Sequence, residues 1–475
     1  MKFFSFVQDG FLLTPVEVQV SLLPGLPDIK FSGLADMAIK ESATRLKSAF
    51  KKCGFHWPLR QQIIVNLSPA CIRKNSLGVD LALALALLSK TGQMDFSQFN
   101  TNDLYAYGEV GLSGEVSTPE NINLLSGKWA PLMTGKMIGK NFREGVYTAQ
   151  TLQEIPLAKK AKVEDWRSSL EKPPLPSTCF SKTASLILKL CAAGEHHLLL
   201  CGEAGSGKTT VAEHIYHLLP PPEKSFWEEG WQMHLTRPLS WRPYINPHHT
   251  TTPLSMIGGG CPIFPGEISR AHGGQLVMDE YLEFHPKVQE ALREPLEKGK
   301  IRLVRRGLNV EFPAHFLLTA TTNLCPCGDY VPGQPVKCSY SLKRCQSHLD
   351  RLSGPMLDRF DLLAFSNGWK GKKEVSMKAL LESVQVARDF RKNIRKQNIP
   401  NGRLEWGELE AMISPEVRRV LPSTTSHRRR RALLRVARTF ADLKGDREIR
   451  GTHVEEGYAL SMKNFYFLKT RMMEG

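Results

Sequence analysis

Lys208 and Thr209 are the residues in this chain best suited to do chemistry. They close the run Gly202, Glu203, Ala204, Gly205, Ser206 and Gly207, and Thr210 follows them. The surrounding stretch is HLLLCGEAGSGKTTVAEHIYHLL, in which His197 to Cys201 reads as an apolar strand and the residues after Lys208 as a helix. A glycine-rich loop between strand and helix can turn its backbone N–H groups around a phosphate chain. The lysine then reaches the β- and γ-phosphates, and the threonine hydroxyl offers an oxygen to Mg2+. A glycine-rich turn can also arise by chance. Here strand, loop, Lys-Thr and helix come in the order that binding a nucleoside triphosphate such as ATP requires.

Five further positions fit phosphoryl transfer. In GGQLVMDEYLEF, Gln275 to Met278 reads as a short buried strand with Asp279 at its end, placed to hold the Mg2+ shell, and Glu280 placed to polarise water. Such transfer needs positioning and charge neutralisation more than covalent chemistry, so an Asp-Glu pair suffices. HFLLTATTN ends in Asn323, whose amide can hold the attacking water or the γ-phosphate, or can cap a turn. In SGPMLDRFDLL, Arg359 follows a turn at Gly354 and Pro355. It can complete a neighbouring subunit's site or pair with Asp358 in its own. Arg428 stands near the start of a helix opened by Ser426 in TSHRRRRALLRVARTFADL, with Leu433, Leu434, Val436, Ala437 and Phe440 as its apolar stripe. Arg428 can reach nucleotide, while a solvated face accounts for the other arginines.

The elements that must position these groups fall into blocks. Residues 1–165 mix strands and helices: PVEVQVSLL alternates as a strand does, and MAIKESATRLKSAFKKCG has helical spacing that stops at Gly54. Residues 166–177 include the proline-rich EKPPLP and form a linker. Over residues 178–366 apolar strands alternate with helices, the pattern of a parallel sheet, so the fold class is α/β. Residues 367–475 are largely helical and basic. There is no internal repeat and no low-complexity tract.

A length of 475 residues exceeds one core. Lys and Arg number 63 against 47 Asp and Glu, a formal net charge of +16. That surplus suits a polyanion, although a merely basic surface would look the same. The ten cysteines are scattered, several in apolar runs, as reduced thiols of a cytosolic protein would be. MKFFSFVQDG lacks the features of a secretion signal, and VDLALALALL is too short to span a bilayer. A cytoplasmic protein without a membrane partner is expected.

Two stretches stay open on these grounds. IRLVRRGLNVEF reads as two strands around a tight turn that carries Arg305 and Arg306 beside Gly307, with Lys298, Lys300 and Arg302 nearby. Adjacent like charges need a counter-charge, or they mark a solvated turn. CPCGDYVPGQPVKCSYSLKRC brings Cys325, Cys327, Cys338 and Cys345 into one loop. Four thiolates would make a structural Zn2+ site, though a C-x-C opening is unusual for one, and a loop of free thiols is the alternative.

Taken together these motifs resemble the AAA+ ATPases, and within them the magnesium-chelatase-like YifB/ComM family. The resemblance runs over nearly the whole chain and includes VNLSPACIRKNSLGVDLALALALL, PHHTTTPLSMIGGG, PGEISRAHGGQLVMDE, CPCG and RLSGPMLDRFDLL. It implies ATP and Mg2+ at Lys208 and Thr209, Walker B carboxylates at Asp279 and Glu280, and a sensor asparagine at Asn323. It also implies an arginine finger at Arg359, acting in trans within a homo-hexamer, and a second sensor arginine at Arg428 in a C-terminal helical lid. The family's second C-x-C stands here as Cys338 and Tyr340, with Cys345 left as a fourth Zn2+ ligand. Glu203 and Ala204 replace two prolines usual in the family, and Leu324 replaces another.

The ComM branch implies a DNA motor for branch migration in natural transformation and recombination. Its pore hairpin falls on the Arg305–Arg306 stretch, which would set Lys300, Arg302, Arg305 and Arg306 against single-stranded or branched DNA. A magnesium-chelatase ATPase subunit, a protein-remodelling ATPase and a non-catalytic DNA scaffold are the alternatives. GEVGLSGEVSTPENINLL and RKNSLGVDLALA resemble the Lon-protease and S5-type α+β fold. There the nucleophile position falls near Gly78 and the lysine position near Asn123, and Ser76 and Lys74 lie out of register. No peptidase activity is expected.

Overall fold

The computed structural model describes the chain except for residues 10–11, 33–36, 70–77, 126–128, 138–140, 235–238, 261–262, 306–307, 329–339, 353, 367–368, 370–373, 423–425 and 474–475. Two compact units emerge, one built on residues 1–170 and the other on most of residues 171–475.

In the first unit, alternating apolar residues make strands β1 (Lys2–Asp9), β2 (Leu12–Pro24), β3 (Asp28–Ser32) and β4 (Gln61–Ser68). Helix α1 (Met37–Lys52) separates β3 from β4, and helix α2 (Val79–Lys90) follows β4. The strands β5 (Asp103–Ala106), β6 (Leu132–Thr134), β7 (Val146–Thr148) and β8 (Lys159–Lys160) complete a mixed sheet in the order β8-β7-β6-β5-β1-β2-β4-β3. Helix α2 is apolar on every side, and Val79 to Leu88 are all buried. Its one acidic residue, Asp80, is fully buried and paired: Ser42 Oγ donates to one carboxylate oxygen and Arg45 Nη2 lies 2.7 Å from the other. Burial still pushes the Asp80 carboxyl up.

The expected nucleophile position has no room for a side chain. A Cβ built on Gly78 would sit 2.3 Å from the Tyr107 ring. That ring is held by its hydroxyl, which donates to Asn121 Oδ1 at 2.8 Å. Ser76 and Lys74 lie outside the described residues. Asn123 lies in a short 3-10 turn, Glu120–Leu124.

The second unit carries a five-stranded sheet. Its strands are β9 (Leu198–Cys201), β10 (Tyr244–Ile245), β11 (Gln275–Met278), β14 (Leu317–Thr322) and β15 (Leu362–Phe365), all parallel, in the order β10-β11-β14-β9-β15. Strands β12 (Lys300–Arg305) and β13 (Leu308–Pro313) form a separate antiparallel hairpin between β11 and β14 in sequence. Helix α3 (Lys182–Gly194) precedes β9, and α4 (Lys208–Leu218) follows it. Buried leucines on both faces of the sheet explain why its strands read as continuous apolar runs. This is the expected α/β fold class.

The C-terminal stretch is helical, with α5 (Met377–Asp389) and α6 (His427–Lys444) its longest helices. Ser426 caps α6 by accepting the Arg429 N–H at 3.2 Å. Leu433, Leu434, Val436, Ala437 and Phe440 are buried as the stripe predicted. The expectation of a solvated arginine face fails here. Arg429 is 1% exposed and donates to the carbonyls of Leu357, Phe360 and Ser461. Arg435 lies 3.6 Å from the buried Asp361. A guanidinium offers five donors, so it can be buried where several carbonyls converge, and helical periodicity does not reveal such a site.

The thiols also depart from expectation. Cys325 and Cys327 form a disulfide, their Cα atoms 5.5 Å apart. That departs from a wholly reduced set, and with these two sulfurs joined to each other the structure lends no support to the Zn2+ site. Cys338 lies outside the described residues. Among the described residues no group of three or more His, Cys, Asp or Glu side chains is placed to hold a metal ion. Cys345 is partly buried and packs against the core of the second unit. No described helix is long and apolar enough to cross a membrane.

Replacing Gly78 with alanine should overpack the first unit at a cost of about 1–3 kcal/mol. The full chain would then begin to unfold at lower urea. An unchanged first transition would show that Tyr107 can move aside.

Candidate nucleotide-binding site

The site is built where three parallel strands end within two residues of one another. Cys201 pairs with Thr322, and Met278 with Ala320, so the residues that follow β9, β11 and β14 leave the sheet side by side. Gln275 fixes β11 against its neighbours by donating to Ala212 O and Thr319 Oγ1, both at 2.8 Å. Ligand sites in such sheets form at the carboxyl ends of the strands.

From β9 the chain enters the loop 202–207. Gly205 and Gly207 adopt φ of 68° and 88°, a region open to glycine at little cost, and Gly207 is the N-cap of α4. Gly202 is needed for space: a Cβ there would meet Ser366 Oγ at 1.9 Å. Ala204 N–H donates to Gly328 O at 2.9 Å, a bond that proline could not make at that position. The departure from the family pattern therefore ties the loop to the segment after Cys327. Leu324, the other departure, is buried in the core.

Lys208 is mostly buried and donates from Nζ to Gly202 O at 3.2 Å, Glu203 O at 2.7 Å and Asn323 Oδ1 at 3.0 Å. Burial lowers its pKa from the usual lysine range, and the Asp279, Glu203 and Glu280 carboxylates oppose that shift. Thr209 Oγ1 donates to Asp279 Oδ1 at 2.9 Å. Thr321 Oγ1 donates to the same oxygen and accepts the Glu280 N–H at 3.2 Å. Glu280 itself has φ of 54°, an unusual backbone for a non-glycine residue. Its carboxylate stands 3.7 Å from His249 Nδ1. Lys208, Thr209, Asp279, Glu280 and Asn323, expected from sequence, thus form one constellation.

Sequence reasoning missed Thr321 and His249. Thr321 sits inside a strand read only for its apolar pattern. His249 lies in PHHTTT, a motif quoted only for the resemblance. Ser206 Oγ donates to Glu203 O, which closes the loop from within.

The residues present fit ATP and Mg2+. A hydroxyl and a carboxylate oxygen suited to the metal lie 2.9 Å apart, beside the only lysine of the loop and the start of an eleven-residue helix.

Arg359 and Arg428 have other partners. Arg359 Nη2 lies 2.9 Å from Glu297 Oε1, and Arg428 Nη2 contacts the same oxygen. Arg359 does not pair with Asp358, the alternative left open by sequence, and a one-turn helix, Gly354–Leu357, replaces the expected turn. In the hairpin, Lys300 Nζ lies 2.8 Å from Glu311, and Arg302 Nε donates to Asn309 at 2.8 Å. Lys298 pairs with Glu294 at 3.4 Å. The register closes at Arg305 opposite Leu308. Arg306 and Gly307 lie outside the described residues.

Comparison with known proteins gives the same outline. The family model described as magnesium chelatase, subunit ChlI, matches residues 178–373, and a second one, subunit ChlI of Mg-chelatase, matches residues 16–125. The uncharacterized protein YifB of Salmonella typhimurium is 31% identical over 487 residues, covering 93% of each chain. The competence protein ComM of Haemophilus influenzae is 29% identical, again covering 93% of each. A more distant relative, named "Probable DNA helicase MCM9" in Arabidopsis thaliana, is 24% identical over 41% of this chain and 26% of its own.

Thr321 makes the two bonds that orient Asp279 and Glu280. Thr321→Val should therefore raise the Mg2+ concentration for half-maximal ATP hydrolysis by about 10-fold. A Mg2+ titration that overlays the parent's would mean that Thr209 alone orients Asp279.

Proposed function

Because this chain belongs to the YifB/ComM family of magnesium-chelatase-like AAA+ ATPases, we propose that it is an ATP-driven motor that binds and remodels DNA. The observation that carries the ATPase part is the convergence of Lys208, Thr209, Asp279 and Asn323 through bonds of 2.9 and 3.0 Å. The DNA part is supported by the names of two relatives, ComM as a competence protein and the more distant helicase. The net charge of +16 and the β12–β13 hairpin add to it. Branch migration during natural transformation and homologous recombination is the finer reading, in the cytoplasm and as a homo-hexamer.

In this reading the loop N–H groups and Lys208 bind the phosphates, and Thr209 and Asp279 hold Mg2+. The metal neutralises phosphate charge when bound. Glu280 takes the proton of the attacking water, and Asn323 orients that water or the γ-phosphate. Arg359 of one subunit, with Arg428 of the lid, completes the site of the adjoining subunit. Lys300, Arg302, Arg305 and Arg306 face DNA phosphates. Such contacts release counterions and make binding steeply salt-dependent.

The hairpin's own acid tempers this assignment. Lys300 is partnered by Glu311, so its charge is shared, and the tip carries most of the DNA contact. The first unit supports assembly or a partner contact, and the closed Gly78 position favours no peptidase role. A second reading, a magnesium-chelatase ATPase subunit acting on a protein partner, draws on the ChlI models that match both units.

Steady-state ATPase without DNA, with single strands and with a branched junction separates the two, with Lys208→Ala as the blank. The motor reading expects stimulation by DNA that Arg305→Ala with Arg306→Ala abolishes. The same double variant should lower the salt slope of DNA binding. Hydrolysis indifferent to DNA would favour the chelatase reading.

A further inference from the structure

The pairing of Arg359 and Arg428 on one carboxylate has a consequence for the shared site. Arg359 arrives after the one-turn helix Gly354–Leu357, and Arg428 lies in the first turn of α6. They come from separate elements, yet both meet Glu297 Oε1. Glu297 lies on the short helix Arg293–Lys298. The Arg359 side chain is only 9% exposed, whereas Glu297 and Arg428 are 36% and 48% exposed. Burial lowers the Arg359 pKa, Arg428 and Arg293 push it the same way, and Glu297 is the main opposing charge. Without an anion at this point, two guanidiniums in contact range would repel and separate. A cavity of about 170 Å³ opens beside them, lined among others by Arg403, Arg431 and Arg435.

We propose that Glu297 is a positioning residue: it holds Arg359 and Arg428 side by side as one unit that meets the triphosphate bound to the adjoining subunit. This rests on the reading of Arg359 as acting in trans. A bidentate or paired arginine arrangement stabilises the charge that builds on a transferring phosphoryl group only when it is set in advance. Glu297 supplies that setting from outside the nucleotide contacts and touches no phosphate itself.

The test uses subunit mixing. Glu297→Gln should lower kcat about 10-fold or more with little change in KM for ATP, as loss of a contact made in the transition state does. Glu297→Asp should recover part of it, and both variants should melt with the parent. A Glu297→Gln subunit keeps a sound phosphate loop, whereas a Lys208→Ala subunit keeps sound arginines. Mixed one to one in a ring, about a quarter of the interfaces join the two sound halves. The mixture should then exceed both homomers, and so should Arg359→Ala mixed with Lys208→Ala.

Three results would overturn the proposal. Parental kcat in Glu297→Gln would do so directly. Recovery by the Arg359→Ala mixture but not the Glu297→Gln mixture would leave the trans reading standing and remove Glu297 from it. Recovery by neither would remove the trans reading, and the proposal with it.

Discussion

Hydrogen bonds between three parallel strands are the constraint on which the rest depends. The register that sets Cys201 beside Thr322 and Met278 beside Ala320 fixes the height at which three chain segments leave the sheet. A slip of one residue would turn every side chain to the opposite face. Asp279 would then lose both hydroxyls, and Lys208 would lose Asn323. The buried leucines, the Gln275 bonds and the glycines of the loop all serve to keep that register and to make room at its end.

A second dependence runs from the helix Arg293–Lys298 into the hairpin. Gly299, with φ of 65°, joins that helix to β12, and a Cβ there would strike the His315 ring at 1.9 Å. The junction is therefore sterically set. Glu297, two residues before it, carries Arg359 and Arg428. The segment proposed to touch DNA and the carboxylate that holds the two arginines are thus consecutive on one short stretch of chain. A motor needs its track contact and its hydrolytic contact to move together, and covalent continuity through a tight glycine gives the shortest link between them.

Much of this was legible in the sequence because the chemistry is local. Strand, loop, Lys208, Thr209 and helix are contiguous, and Asp279, Glu280 and Asn323 each end an apolar run. Helix α6, its Ser426 cap and its stripe were likewise visible in periodicity. The rest depends on meetings between distant residues. Thr321 and Asp279 are 42 positions apart, and Arg428 and Glu297 are 131 apart. No local pattern announces such pairs. Arg429 looked solvated because a charged run on a helix usually is, and only the converging carbonyls of Leu357, Phe360 and Ser461 account for its burial. Cys325 and Cys327 offered thiolates to a metal on paper, and proximity gave them to each other.

The central claim is that each ATP site is shared between subunits. The most direct measurement is ATP turnover per subunit across a dilution series, with Arg359→Ala alongside and light scattering to follow assembly. The account predicts that turnover per subunit falls as the assembly dissociates, and that Arg359→Ala stays low at every concentration. Constant turnover per subunit down to the monomer, with Arg359→Ala equal to the parent there, would contradict it.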